Sequence, residues 1–496
     1  MGVLKFLLPS KDLARRLPGF RRAYFTGLDR TPGKLSIDFR NGLMVCHRDS
    51  GESGRFFVPW PVSGFGTVMV GTATLAERPE PYILALELAR GKLNDVSNQL
   101  AYWTQEGLRI PADLNSVIAE ARQAFIRSAL STDTPEECCE AAQRSLEASC
   151  RVADLLTQAY VSQALENRLA ATGKLTTSLG CVLSDDPQRV PGSGRWTSAF
   201  NSCQIAVSWR QIVPSEGKYR WELLDAQLAW CRRHQLNAEV GPLVEFRPAA
   251  LPDWIWLWEG DPDSIGGLIH DFVRQTVLRY RGKVPVWHIV HRPASHDILG
   301  LSEEDQIRIT ARAIQAARQA DPFAQLSLGV DRPWGEWMSG GRFQLGPLHF
   351  CDYLLRSDLG LSSIGLEIAP GYTNPGSHLR DLFEFSKLLD LFSLLQVPLH
   401  LFLVFPSAAG PDPLADPTVQ VDTWQWPVVP DEALQSNLVA RWLALALAKR
   451  NVHSVTYLQS SDSLPHLYPH GGLYRADGTP KPVVGWLERL RQDILA

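Results

Sequence analysis

From Gly173 to the C-terminus the chain alternates a short apolar run with an amphipathic helical stretch, and it does so eight times. Few folds accept that order: repeated strand–helix units favour parallel pairing, and right-handed crossovers carry eight of them into a closed barrel. The strand candidates are Thr176–Ser184, Ser202–Ser208, Asn237–Glu245, Pro285–His291, Gln325–Asp331, Ser362–Ile368, Pro398–Phe405 and His453–Gln459. Between them Glu222–His234, Ser264–Tyr280, Ser302–Ala320, Ser377–Leu395 and Glu432–Lys449 place apolar residues at helical spacing, several behind Ser or Asp caps. The reading is an α/β chain ending in a (β/α)8 TIM barrel over 173–496. In such a barrel the reactive groups belong at the C-terminal strand ends.

The first third reads differently. Over residues 1–81 the runs KLSIDF, GLMVCH, GRFFVPW and GTVMVGTATL alternate with Gly, Pro and Asn turn signals, which predicts a small antiparallel sheet or sandwich. Over 82–172 the period changes to that of a helix, with starts after Pro111 and at Thr134-Pro135-Glu136-Glu137, where Thr134 is an expected N-cap. A helical hairpin or small bundle is expected there. No chemistry is legible in either segment, and both remain open as surfaces for a protein partner.

Composition excludes several classes. With 496 residues, 45% apolar and 21% charged, the chain has material for large cores and two or three folding units. Its net charge of -4 is scattered, so the basic stripe that nucleic-acid binding needs is missing. Eight cysteines without C-x-x-C pairs predict reduced, mostly buried thiols rather than a zinc site or a disulfide scaffold. The apolar run from Val3 to Leu8 is short and interrupted by Lys5, so no signal peptide is expected, and no stretch is long enough for a membrane span. Gly2 lacks the Ser or Thr that myristoylation asks for at position 6, which is Phe6. The expectation is a cytoplasmic protein with no membrane contact, no cofactor and no metal.

Several blocks, collinear and at strand spacing, resemble glycoside hydrolase family 10, the endo-β-1,4-xylanases. Phe200-Asn201-Ser202, then Trp209 and Pro214-Ser215-Glu216-Gly217-Lys218-Tyr219, resemble the family's F-N-x-x-T and E-P-x-x-G-x-F. Gly241-Pro242-Leu243-Val244 with Leu251-Pro252-Asp253-Trp254 is similar to G-H-x-L-V-W and L-P-x-W. Gly282-Lys283 with Val286-Trp287-His288-Ile289-Val290-His291-Arg292 resembles G-K followed by W-D-V-V-N-E. Ile364-Gly365-Leu366-Glu367 sits where the family has I-G-x-Q. Val452 to Tyr457, Asp462, Gly472-Leu473-Tyr474 and Lys481-Pro482 resemble its closing blocks. The resemblance covers about 173–496 and implies a barrel that handles β-glycans.

What it implies for catalysis is negative. Retaining hydrolysis requires two carboxyl groups roughly 5 to 5.5 Å apart, one giving a proton and one attacking the sugar. The family's acid/base position holds Arg292, whose guanidinium stays charged at any working pH, and its nucleophile position holds Leu403. The sugar-binding positions on the second strand become Gln204, Ile205, Ala206 and Ser208, the third-strand His becomes Pro242, and the platform Trp of the eighth strand falls at Leu458.

Residual candidates remain. Glu245, Glu367 and Asp331 lie near strand ends and could form a re-sited carboxylate pair, or could equally be ion partners of Arg292, Arg247 and Arg332. His291 and His400 are candidate proton shuttles or hydrogen-bonded structural groups. A metal site from His288, His291 and His296 lacks a known ligand spacing, and strand alternation should turn His288 away from His291. Trp424, Trp426 and Trp334, with His291, Arg292 and Asp462, are the candidate ligand-binding residues, the tryptophans as platforms for sugar rings. The leading expectation is a catalytically degenerate barrel acting as a carbohydrate-binding or protein-interaction module. The alternatives are an active glycosidase with a re-sited carboxylate pair and a structural scaffold subunit.

Overall fold

The structure is a computed structural model that describes residues 2–10, 18–40, 43–293, 297–373 and 376–496. Its first strand, β1 (Gly2–Leu7), buries Leu4 and Phe6 and leaves Val3, Lys5 and Leu7 half-exposed, the period of two expected of a strand covered on one face. The run that Lys5 interrupts is therefore a strand with its lysine on the open face. The next strands are β2 (Tyr24–Thr26), β3 (Pro32–Gly33), β4 (Leu35–Arg40), β5 (Leu43–Arg48), β6 (Arg55–Val62), β7 (Gly66–Gly71) and β8 (Tyr82–Ile83). They form two four-stranded sheets, ordered β4-β5-β1-β8 and β3-β2-β6-β7. All pairings are antiparallel except β1 with β8. The sheets meet where Phe6 stacks on Phe56 at 5.0 Å between ring centroids.

Three helices follow: α1 (Leu84–Gln105), α2 (Leu114–Leu130) and α3 (Pro135–Thr172). Thr134 precedes α3 as expected, but its hydroxyl does not cap by accepting. It donates instead, to the Ser131 carbonyl and to Glu137. These segments are held to the barrel by ion pairs, a buried one in which Lys92 of α1 meets Asp381 at 2.5 Å, and a half-buried one in which Asp95 takes both Arg55 and Lys387 at 2.8 Å. One contiguous apolar core runs from Leu4 to Leu495.

The barrel is built from β9 (Ser178–Leu183), β10 (Ser202–Ile205), β11 (Asn237–Val240), β12 (Val244–Glu245), β13 (Val286–His291), β14 (Gln325–Asp331), β15 (Ser363–Ile368), β16 (Leu399–Leu403) and β17 (Val452–Tyr457). β11 and β12 are two halves of one stave, both pairing with β13, and the parallel pair β17–β9 closes the ring. The (β/α)8 barrel behind a small β unit is thus present as the strand–helix repeat requires. Its helices include Glu222–Arg233, Pro262–Arg279, Glu303–Ala320, Leu382–Ser393 and Glu432–Ala448. Two starts differ from the sequence reading. Asp261 rather than Ser264 caps the second of these, and Asp381 caps the fourth, because Ser377 and His378 are drawn into contacts with Ala369 and Thr67.

A further difference lies in β13. Its pairing with β14 slips between His288 and Val290, so the alternation that should separate His288 from His291 is interrupted. Both rings pack against Phe402, at 5.3 and 5.8 Å, and both therefore point inward. His296 lies outside the described residues. All eight cysteines are unpaired, and only Cys139 is not fully buried. Among the described residues no helix is long and apolar enough to cross a membrane.

Gly91 gives the packing of α1 a sharp test. A Cβ there would strike the backbone of Gly71 and Thr72, at the end of β7. Gly91→Ala should therefore destabilise the protein by about 1–3 kcal/mol, although alanine is the better helix former. A urea midpoint that is unchanged or higher would show that α1 does not sit this close to the sheet.

Candidate functional site

The C-terminal ends of the barrel strands surround a cavity of about 550 Å³. β12 brings Glu245 to its wall, β13 brings His291 and Arg292, β15 brings Glu367, and β16 brings Phe402. Leu414 to Pro417, from the Pro-rich segment after β16, line its outer side, with Leu464 to Tyr468 beside them. That long segment covers the mouth but does not fill it.

Arg292 is the centre of the site, and it is only 1% exposed. Its Nη2 donates to Glu367 Oε1 at 2.6 Å and to the Tyr468 hydroxyl at 3.1 Å, and its Nε lies 3.4 Å from Glu245 Oε1. Tyr468 in turn donates to Glu367, and His291 Nε2 stands 3.0 Å from Glu367 Oε2. Glu245 also accepts from Arg247 Nε at 3.0 Å, and Arg247 reaches Asp416 at 3.6 Å. Asp331 accepts from Arg332 Nε at 3.1 Å. Glu245, Glu367 and Asp331 are thus all ion-paired.

Burial alone would raise the Glu367 carboxyl, but Arg292, followed by His291 and Tyr468, outweighs it and holds the group well below the usual carboxylate range. Burial likewise opposes and Arg247 and Arg292 overcome it at Glu245, which is also lowered. Arg292 is pushed far above its ordinary value, its own desolvation outweighed by Glu367. Tyr468 is raised by burial and by Glu367. At neutral pH the centre is two carboxylates on one guanidinium, with the Tyr468 hydroxyl keeping its proton.

The backbone carries strain at the same place. Arg292 and Arg332, each directly after its strand, adopt left-handed conformations with φ of 61° and 43°. Such a residue costs about 1–2 kcal/mol and persists only where its surroundings enforce it, and the Arg292 amide is held by the Gly329 carbonyl at 3.1 Å.

The other sequence candidates lie elsewhere. Trp424 packs on the N-terminal segment, with Arg22 5.9 Å from its ring. Trp426 is buried against Gly371 and Gly66. Trp334 lies under Arg380 at 4.2 Å and lines a separate cavity of about 530 Å³ between the N-terminal sheet, α1 and the barrel. None of the three tryptophans faces the barrel-mouth cavity. Asp462 is bound to Lys481 at 2.6 Å beside Ser407, outside the cavity wall. Leu403 is buried in the core, and His400 lies deeper in the barrel beside Glu239. Tyr468 was not legible in the sequence, since it lies in an aperiodic segment after β17 where nothing ties it to Glu367.

The fold is similar to that of solved family 10 xylanases. Native xylanase 10B from Thermotoga maritima is 13% identical, with a TM-score of 0.49 over 67% of this chain and 97% of that one. A GH10 protein from Paenibacillus barcinonensis is 17% identical, with a TM-score of 0.49 over 68% and 98%. Xylanase 10B from Thermotoga petrophila RKU-1, solved in complex with xylobiose, is 14% identical, with a TM-score of 0.47 over 66% and 96%. No family model matches the chain.

The clamp sets a stability prediction. Glu367→Gln leaves a buried guanidinium without its main counter-charge and should cost about 3–5 kcal/mol. Because the folded carboxyl titrates below its unfolded value, its stabilisation is complete above the unfolded pKa of about 4.3 and is lost as pH falls further. Denaturant melts of the wild type and Glu367→Gln from pH 7 to pH 3 should therefore converge as the pH drops. Parallel curves would mean that Glu367 is not the ionised partner of Arg292.

Proposed function

We propose that the chain binds a neutral carbohydrate at the barrel mouth and does not hydrolyse it. The observation that carries this reading is the Arg292–Glu367 pair. Glycoside cleavage needs a carboxyl group that holds a proton at working pH and a second that is free to attack. Glu367 and Glu245 both sit on Arg292, so the re-sited acid pair considered from the sequence is spent on neutralising a buried cation.

Binding is favoured by what is left over. The cavity presents neutral donors and acceptors from Ser184, Gln204, Gln211, Gln459, Ser460 and Ser461. Gln204 Oε1 is buried without a hydrogen-bond partner, an acceptor that a ligand hydroxyl would satisfy. The charges on the wall are matched against one another, which suits an uncharged polyol better than an acid. The sequence blocks that resemble family 10 point to the same ligand class.

Two assays on the purified chain check this. Aryl β-xylosides and xylo-oligosaccharides should yield no aryl alcohol or reducing sugar, while calorimetry should show saturable binding. Gln204→Leu should weaken that binding about tenfold, or ~1.4 kcal/mol, the loss of one hydrogen bond in a dry site. Turnover that disappears in Glu367→Gln would establish an enzyme instead. An inert chain that binds no glycan would favour the scaffold role.

A further inference from the structure

Below the mouth, the barrel lumen holds a second polar cluster. Glu239 on β11, His288 on β13, His400 on β16 and Ser454 on β17 are all at least 96% buried. β11 is separated from β17 and β16 by β10 and β9, so contacts between Glu239 and the last two residues can run only through the lumen. Glu239 Oε2 lies 2.9 Å from His288 Nε2 and 3.5 Å from His400 Nδ1, and Ser454 donates to Glu239 Oε1 at 3.1 Å. TIM-barrel interiors are ordinarily filled by branched apolar side chains, so this composition needs a physical reason.

We propose that Glu239, His288 and His400 bind a divalent transition-metal ion, zinc by the choice of ligands, inside the barrel. One carboxylate oxygen and two imidazole nitrogens are a common zinc set, and the three ligand atoms lie within 4.8 Å of one another. Ligands about 2.0 Å from a tetrahedral ion stand about 3.3 Å apart, and the two Glu239–His separations bracket that edge. A three-ligand set leaves the fourth position to a water.

A second observation points the same way. His400 Nδ1 is buried in the cluster with no hydrogen-bond partner, although it faces a carboxylate oxygen. On other barrel strands, His288 Nδ1 and the hydroxyls of Ser202, Ser327 and Ser363 are also buried without partners. A lumen with more polar atoms than partners is where an ion with its water shell belongs.

The role is structural. The Phe402 ring contacts both His288 and His291, and so stands between the cluster and the barrel-mouth cavity. The ion would tie β11, β13 and β16 across the lumen without touching a ligand at the mouth, so this inference stands whether or not a sugar binds there.

The full chain, purified without chelator and with any tag removed, should contain about one zinc per molecule by mass spectrometry. Refolded with Co²⁺, it should show the intense visible bands of a tetrahedral cobalt site, and its melting temperature should exceed that of protein refolded with EDTA. His400→Gln, which keeps the Glu239–His288 hydrogen bond, should hold less than about a tenth of an equivalent, whereas Ser454→Ala should keep its metal. Wild-type protein with less than about 0.1 equivalent, both as purified and after refolding with Zn²⁺, overturns the proposal, as does full metal content in His400→Gln. If His400→Gln does not fold, the wild-type metal content and cobalt spectrum decide alone.

Discussion

A guanidinium buried at the mouth of a barrel imposes conditions on everything near it. Arg292 is almost wholly withdrawn from water, and the cost of that withdrawal is tolerable only because Glu367, Glu245 and the Tyr468 hydroxyl surround it. Each of those partners is fixed by the same requirement. Glu367 cannot keep a proton, Glu245 is shared with Arg247, and Tyr468 closes the ring by donating to Glu367. Even the backbone yields, with Arg292 in a left-handed conformation to deliver its side chain inward.

The same clamp pairs the acids of the mouth with cations. Apolar surroundings would keep a carboxyl neutral, and this site does the reverse, surrounding its carboxyls with cations. The uncharged hydrogen-bonding groups of the cavity come chiefly from β10 and the segment after β17, beneath the cover of Leu414 to Pro417. The barrel also keeps its charge in layers. An Arg–Glu layer lies at the mouth and a Glu–His–His layer deeper in, with Phe402 between them.

The first third of the chain is joined to the barrel by more than linkage. The buried Lys92–Asp381 pair and the half-buried Asp95 bridge between Arg55 and Lys387 bind the sheets and α1 to one barrel helix. Trp334, Trp424 and Trp426, which the sequence offers as sugar platforms, are used on this side of the molecule. An aromatic in a loop can stack on a ligand or on its own protein, and its position in the chain does not choose between them.

What the sequence determined by itself was periodicity and substitution. Eight strand–helix units require a parallel barrel, and an arginine and a leucine stand at the ends of two strands, because those facts depend only on local order and residue identity. Partnership was decided by tertiary structure. The pairing of Arg292 with Glu367 joins residues 75 apart, and Tyr468 reaches Arg292 across 176. The slip in β13 that turns His288 and His291 to the same side is invisible to alternation, since one residue out of register reverses which face a side chain takes. Distances through the lumen of a closed barrel arise only when the last strand meets the first, and so no stretch of sequence contains them.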